Sequence, residues 1–172
     1  MPYTYEILNK IGFKNIKIDS LKYLTHAGGK IEKNKLKEII KFCIKNNLQF
    51  FSMYGQTEAS PRISYLKPKF FKKKIGSIGK AIPGNKIYIA DHLGKRISKP
   101  YIEGEIICEG KNIFMGYSRN YDDLKDPNQE NFKLKTGDLG FFDKDRFFYV
   151  TSRISKIAKI FGNRIDLGAL ED

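Results

Sequence analysis

Five consecutive residues, Tyr54-Gly55-Gln56-Thr57-Glu58, follow directly on a short apolar and aromatic run, Leu48 to Tyr54. Their types suit a nucleotide. A tyrosine ring can stack on a base, and a glycine lets backbone approach closely. A threonine hydroxyl can donate to a phosphate oxygen, and a glutamate offers the hard oxygens that magnesium takes. In an α/β sheet, the loops at the carboxyl ends of strands are where ligands sit. Taken alone, the same five residues fit equally well a polar turn beside a buried tyrosine. A second stretch, Thr136-Gly137-Asp138-Leu139-Gly140, holds one carboxylate between glycines ahead of a strand. Such a carboxylate can accept from two vicinal hydroxyls, as on a ribose, although Asp-Gly punctuation also marks simple turns. The third is Ser152-Arg153, followed by Lys159, Gly162 and Arg164. An arginine after the last strand can add a ribose or phosphate contact, and on a basic chain it also reads as an ordinary surface residue.

These residues need elements to hold them. Leu36, Ile39, Ile40, Cys43 and Ile44 recur at helical spacing with Lys37, Lys41 and Lys45 opposite, which predicts an amphipathic helix ended by Asn46 and Asn47. Leu48 to Tyr54 reads as a buried strand, and Leu21 to Thr25 as another that runs into Ala27-Gly28-Gly29. Strand, glycine turn, helix, strand is a βαβ unit of a parallel sheet. From about Gly76 the character changes. Lys86 to Ala90 and Gly104 to Glu109 are strand-like, with turns at Asp91 to Gly94 and at Asp143 to Asp145. The expected fold is therefore α/β: the tail of a parallel α/β subdomain over residues 1–66, then a small antiparallel β-barrel-like subdomain over 67–151.

Composition sets limits on function. The chain has 172 residues, 41% hydrophobic and 30% charged, which is the make-up of one globular domain. No run of about 18 apolar residues exists to span a membrane, and the opening MPYTYEILNK lacks the apolar core of a secretory signal. Cys43 and Cys108 stand apart, so two reduced, buried thiols and a cytoplasmic setting are expected. The net charge of +13 comes from lysines spread along the whole chain. The densest group, Lys67, Lys69 and Lys72 to Lys74, reads as a solvated loop. No zinc set or aromatic RNA-binding motif accompanies it, so no specific nucleic-acid partner is expected.

Order adds what the separate stretches lack. AGG, YGQTE, GSIGKAIPG, GEIICEG, TGDLG and SRISKIAKIFGNRIDLGALED succeed one another in a pattern that resembles the AMP-forming acid ligases, the superfamily of acyl-CoA synthetases, luciferase and peptide-synthetase adenylation domains. The likeness spans essentially the whole chain. It implies that Gly28, Gly29 and Tyr54 flank an adenine, with Gly55 and Gln56 in the same nucleotide loop. It implies further that Thr57 binds the α-phosphate, Glu58 positions magnesium, Asp138 takes the ribose hydroxyls and Arg153 assists. Thr57 and Glu58 would then be the catalytic pair, and residues 152–172 the hinge and opening strands of a C-terminal lid. The implied ligands are ATP or AMP, Mg2+, a small carboxylic acid, and coenzyme A or a phosphopantetheine carrier as thiol acceptor.

Three positions depart from the family pattern: Ser52 where an asparagine often reads the adenine, Ser152 where a glycine is common, and Ser155 where the hinge usually has Asp or Lys. The family's glycine-rich phosphate loop and its near-terminal lysine have no counterpart in these residues. The chain alone is therefore expected to be inactive, as a fragment of the ligase. The alternative is a non-catalytic module presenting the AMP face to a separately made N-terminal half. Ala59 to Ser64 are expected near the acid pocket, and an open sheet edge with exposed apolar surface is expected on the α/β part, a route to self-association.

Overall fold

The structure, a computed structural model, describes residues 2–16, 19–124, 132–160 and 163–166. It opens with helix α1 (Pro2–Lys10), strand β1 (Tyr23–His26), helix α2 (Lys33–Lys45) and strand β2 (Gln49–Tyr54). β1 and β2 pair in parallel, so the expected βαβ unit is present. α2 forms because Leu36, Ile40 and Cys43 fall on one stripe and are all buried. Its end is made by asparagines: Asn46 Nδ2 donates to the Phe42 carbonyl at 2.9 Å, and Asn47 takes the left-handed conformation with φ 54°. Each fully buried aliphatic on that stripe contributes roughly 1.5–3 kcal/mol. α1 packs beside it through Tyr5, whose ring meets Phe50 edge-on and whose hydroxyl donates to the Thr25 carbonyl at 2.5 Å.

Beyond β2 the first sheet turns antiparallel. β3 (Ser64–Leu66) pairs with β2, and β4 (Lys80–Ala81) pairs with β3, giving the order β1-β2-β3-β4. The sheet thus draws its last strand from beyond residue 66, because the chain crosses back at Gly79. A Cβ there would lie 1.9 Å from the Tyr65 carbonyl oxygen, and φ is +81°. Only glycine permits that approach.

The second sheet is antiparallel throughout, built from β5 (Lys86–Ala90), β6 (Arg96–Ile97), β7 (Gly104–Glu109), β8 (Lys133–Phe142) and β9 (Phe148–Arg153) in the order β6-β5-β7-β8-β9. It does not close into a barrel; β6 and β9 are its edges. A short turn at Ile154–Lys156 then leads to a hairpin of β10 (Ile157–Ile160) and β11 (Asn163–Asp166).

The two sheets meet at the Ser77–Gly79 crossing. Ile78 N donates to Phe148 O at 2.9 Å, and Phe148 N donates to Gly79 O at 3.1 Å. Ser77 Oγ donates to the same Phe148 carbonyl at 2.7 Å and accepts from Gly79 N at 2.9 Å. One core, with Ile63, Ile89, Ile106 and Phe142, lies between the sheets, while a second gathers Ile31, Ile40, Phe50 and Leu66 under α2. Both cysteines are free and buried, as expected, and burial pushes each thiol up to about 11.

The basic cluster is not uniformly solvated. Lys67, Lys69, Lys72 and Lys73 are exposed, but the Lys74 side chain is only 15% exposed. Its ammonium pairs with Asp143 at 2.6 Å and Asp145 at 2.5 Å, and lies over the Phe147 ring at 4.9 Å. Burial opposes ionisation of Asp143. The Lys74 ammonium and the N–H groups of Phe147 and Asp145 outweigh it and hold the carboxyl below its ordinary value. Among the described residues no helix is long and apolar enough to cross a membrane.

Gly79→Ala tests the crossing. The backbone clash and the left-handed φ together should cost at least about 3 kcal/mol. Gly84→Ala, with φ +85° but nothing within 4 Å of the new Cβ, should cost only about 1 kcal/mol. Urea unfolding of the two variants checks the difference; equal losses would show that the crossing is not tight.

Candidate functional site

Parallel pairing puts the carboxyl ends of β1 and β2 on one edge of the first sheet, with His26 opposite Ser52 in the register. The loops that follow carry Gly28-Gly29 and Gly55-Gln56-Thr57-Glu58. Gly28 and Gly29 have φ 70° and 125°, so that loop presents bare backbone. Gly55 is required for a reason its sequence position does not disclose. A Cβ there would meet the Pro61 carbonyl oxygen at 1.9 Å, because the chain doubles back after the single turn Thr57–Ala59. Thr57 is exposed on that turn and Glu58 half-buried, while Ala59, Ile63 and Ser64 are enclosed, leaving Ser60 to Arg62 accessible.

Asp138 arrives from the other sheet. The segment Thr136 to Gly140 is part of β8 rather than a turn ahead of it. Between Glu105 and Ile107 on β7, the partners on β8 run from Leu139 to Lys135, so β8 carries extra residues and bulges there. Gly137, at φ 70° with open space around it, makes the bend. The freed amides are satisfied: Gly137 N donates to Glu105 Oε1 at 3.0 Å and Asp138 N to Thr136 Oγ1 at 3.1 Å. The bulge turns Asp138 towards β2.

There the carboxylate is met by two donors from the first sheet. Tyr54 Oη donates to Asp138 Oδ2 at 2.6 Å, and Gln56 Nε2 donates to the same oxygen at 3.1 Å and to the Thr136 carbonyl at 2.7 Å. Arg153 is the cross-strand partner of Asp138, with its Nε 3.5 Å from Oδ1. Asp138 is only 13% exposed and Arg153 55%, so the pair sits at the rim of a half-closed site. Oδ2 is occupied by protein donors. Oδ1, facing the exposed arginine, keeps free lone pairs for further hydroxyls.

Glu58 completes the group. Tyr117 donates a short hydrogen bond from its phenol to Glu58 Oε1, and this bond holds the carboxyl below its ordinary value, with a smaller contribution from Arg153. Among the described residues no three His, Cys, Asp or Glu side chains form a metal cluster. The site carries two carboxylates: Asp138, met by Tyr54, Gln56 and Arg153, and Glu58, bound on one oxygen by Tyr117. As a donor, Glu58 fits magnesium, which binds through one or two carboxylates plus a substrate's phosphates. Neither Tyr117 nor Asn112, whose Nδ2 donates to the Ala59 carbonyl at 2.6 Å, carries a signal in the linear sequence, since their partners lie 59 and 53 positions away.

Other expected residues stand elsewhere. Lys159 and Arg164 occupy paired positions of the β10–β11 hairpin, and Gly162 lies outside the described residues. A groove of about 930 Å³ between α1 and α2, lined by Tyr5, Phe13, Leu24 and Ile39 among others, contains none of the expected site residues.

The sequence pattern of a family described as AMP-binding enzyme matches residues 2–118. The 2-succinylbenzoate–CoA ligase of Bacillus subtilis (strain 168) is 34% identical over 119 residues, covering 69% of this chain and 24% of that enzyme. The solved unliganded O-succinylbenzoate coenzyme A synthetase of Bacillus subtilis superposes with a TM-score of 0.75 at 29% identity, over 96% of this chain and 35% of that one. The same enzyme in complex with ATP and magnesium ion gives 0.73 at 30% identity, over 94% and 33%. The chain thus spans about a third or less of the length of these relatives.

Burial, and then Asp138, raise the Tyr54 phenol well above its ordinary 10. An unfolded tyrosine ionises near pH 10 while the native one stays neutral, so this contribution is whole below about pH 10 and fades above it. Thermal melts between about pH 9 and 12 should show a falling midpoint, and Tyr54→Phe should lose less over the same range. Parallel decline of the two proteins would mean that Tyr54 is not the group responsible. Tyr5, also raised by burial, is common to both.

Proposed function

Because this chain belongs to the AMP-binding enzyme family, we propose that it supplies the AMP-facing side of an ATP-dependent, AMP-forming carboxylate ligase. The observation that carries the reading is the meeting of Tyr54, Gln56, Asp138 and Arg153, from two sheets, around one rim carboxylate. The adenine lies between the Gly28-Gly29 backbone and the Tyr54 ring. Asp138 accepts the ribose hydroxyls on its Oδ1 side, steadied by Arg153, while Tyr54 and Gln56 hold Oδ2 and so fix the carboxylate plane. The exposed Thr57 hydroxyl donates to the α-phosphate. Glu58 holds Mg2+, which when bound neutralises charge on the phosphates.

The reaction of the whole enzyme is carboxylate plus ATP giving acyl-AMP and pyrophosphate, then transfer of the acyl group to a thiol. The names of the relatives point to 2-succinylbenzoate and coenzyme A as the first acid and acceptor to test, with a phosphopantetheine carrier as the other acceptor. The turn Ile154–Lys156 between β9 and the β10–β11 hairpin is the hinge of the lid. The setting is cytoplasmic.

A second reading is favoured by the first sheet. β1 has no neighbour on its outer side among the described residues, and the face bearing Tyr23, Phe51, Met53 and Tyr65 is incompletely covered, with Tyr23 59% exposed. An open parallel edge beside partly exposed aromatics suits a module that pairs with a separately made N-terminal half, or with a second copy. On either reading the chain alone binds nucleotide weakly and does not turn over.

Calorimetry of the purified chain with AMP and with ATP-magnesium tests this. Dissociation constants of about a millimolar, a few kcal/mol of binding, are expected, further weakened at least about tenfold by Asp138→Ala through loss of the ribose acceptor. No pyrophosphate should be released with any acid. Release of pyrophosphate by the chain alone would overturn the claim of inactivity, and binding unaffected by Asp138→Ala would overturn the assignment of the ribose site.

A further inference from the structure

We propose that Tyr117 is the positioning residue of the Glu58 carboxylate: its phenol binds one oxygen and leaves the other aimed at a divalent cation brought in with the nucleotide's phosphates. The proposal rests on the reading of Glu58 as the magnesium ligand. Tyr117 is 74% exposed. A phenol this exposed could hydrogen-bond to water instead, so its bond to Glu58 contributes only the net difference to folding. The loop that carries it is nevertheless fastened to the turn around Glu58 at four points. Asn112 Nδ2 donates to the Ala59 and Arg62 carbonyls at 2.6 and 2.9 Å. Ser60 Oγ donates to the Asn112 carbonyl at 3.0 Å, and Phe114 N donates to the carbonyl of Glu58 itself at 2.8 Å.

Gly116 follows at φ 134°, and the Tyr117 ring packs edge-on against Phe114 with centroids 4.9 Å apart. The phenol is thereby held at the Glu58 side chain by the backbone that carries that side chain. A neutral donor on one oxygen leaves the carboxylate its full charge while limiting its rotation. Carboxylates that bind metals are commonly held in this way, and loss of such a partner weakens metal binding by about 10–100-fold.

The test uses Mn2+ as the probe, followed by paramagnetic broadening of the amide signals of residues 56–59 in the purified chain, with and without ATP. Tyr117→Phe keeps the ring on Phe114 and removes only the hydroxyl. It should need about 10–100-fold more Mn2+ for equal broadening, while calorimetric binding of metal-free ATP stays at the wild-type value. The same Mn2+ dependence in both proteins, or a parallel loss of metal-free ATP binding, overturns the positioning role. Broadening that survives Glu58→Gln overturns the underlying assignment of the cation to Glu58 instead, so the two failures are distinguishable.

Discussion

A carboxylate that is nearly enclosed must be met by donors, and Asp138 takes its donors from two different sheets. Tyr54 and Gln56 reach it from the end of β2, and Arg153 from the neighbouring strand β9. Without them a buried charge would stand unpaired, at a cost of several kcal/mol. The docking of the sheets and the geometry of the site are therefore one problem. The seam that solves it is short: Ser77, Ile78 and Gly79 lie against the Phe148 backbone, and Gly79 leaves room on its other side for the Tyr65 carbonyl. The bulge in β8 then does what a regular strand cannot. It lifts one carboxylate out of the pleat towards the other sheet while its own amides stay satisfied.

Charge is distributed to match. A net +13 looks like diffuse attraction for anions, yet the lysine with the most specific partners, Lys74, is spent on Asp143 and Asp145 at the junction between the basic loop and the β8–β9 turn. The lysines around it remain in solvent. At the candidate site the described charges are mixed, with Glu58 and Asp138 beside one exposed arginine. On the proposed reading such a site would orient a nucleotide through placed donors and acceptors, and the general positive field would only raise the frequency of encounter.

The first sheet is covered on one face and left open on the other among the described residues. One of its faces is sealed by α2 and by the core shared with the second sheet. The other carries an aromatic row from Tyr23 through Phe51 to Tyr65, beside the outer side of β1, which has no partner among the described residues. Relatives about three times the length share this fold over nearly the whole chain. The apolar row is the kind of surface that further chain or a partner covers.

Local signals were legible in the residues themselves. The 3.6-residue stripe of Leu36, Ile40 and Cys43, the asparagines that end α2, the βαβ order and the antiparallel strands at Lys86 to Ala90 and Gly104 to Glu109 all depend on near neighbours, and the structure has them where they were expected. The candidate residues Tyr54, Asp138 and Arg153 could be singled out too, although each stretch alone also reads as a turn or a surface residue, because the motifs succeed one another in the family's order. Long-range pairing was decided only in three dimensions. Tyr54 and Asp138 are 84 positions apart, and nothing in either neighbourhood encodes their contact. The same holds for Tyr117 on Glu58 and for Lys74 on Asp143, while Gly79 must be glycine because of the Tyr65 carbonyl on a neighbouring strand. Periodicity and turn chemistry are properties of a segment. Strand register, bulges and backbone crossings are settled by which segments share a core, and that is known only once the sheets have packed.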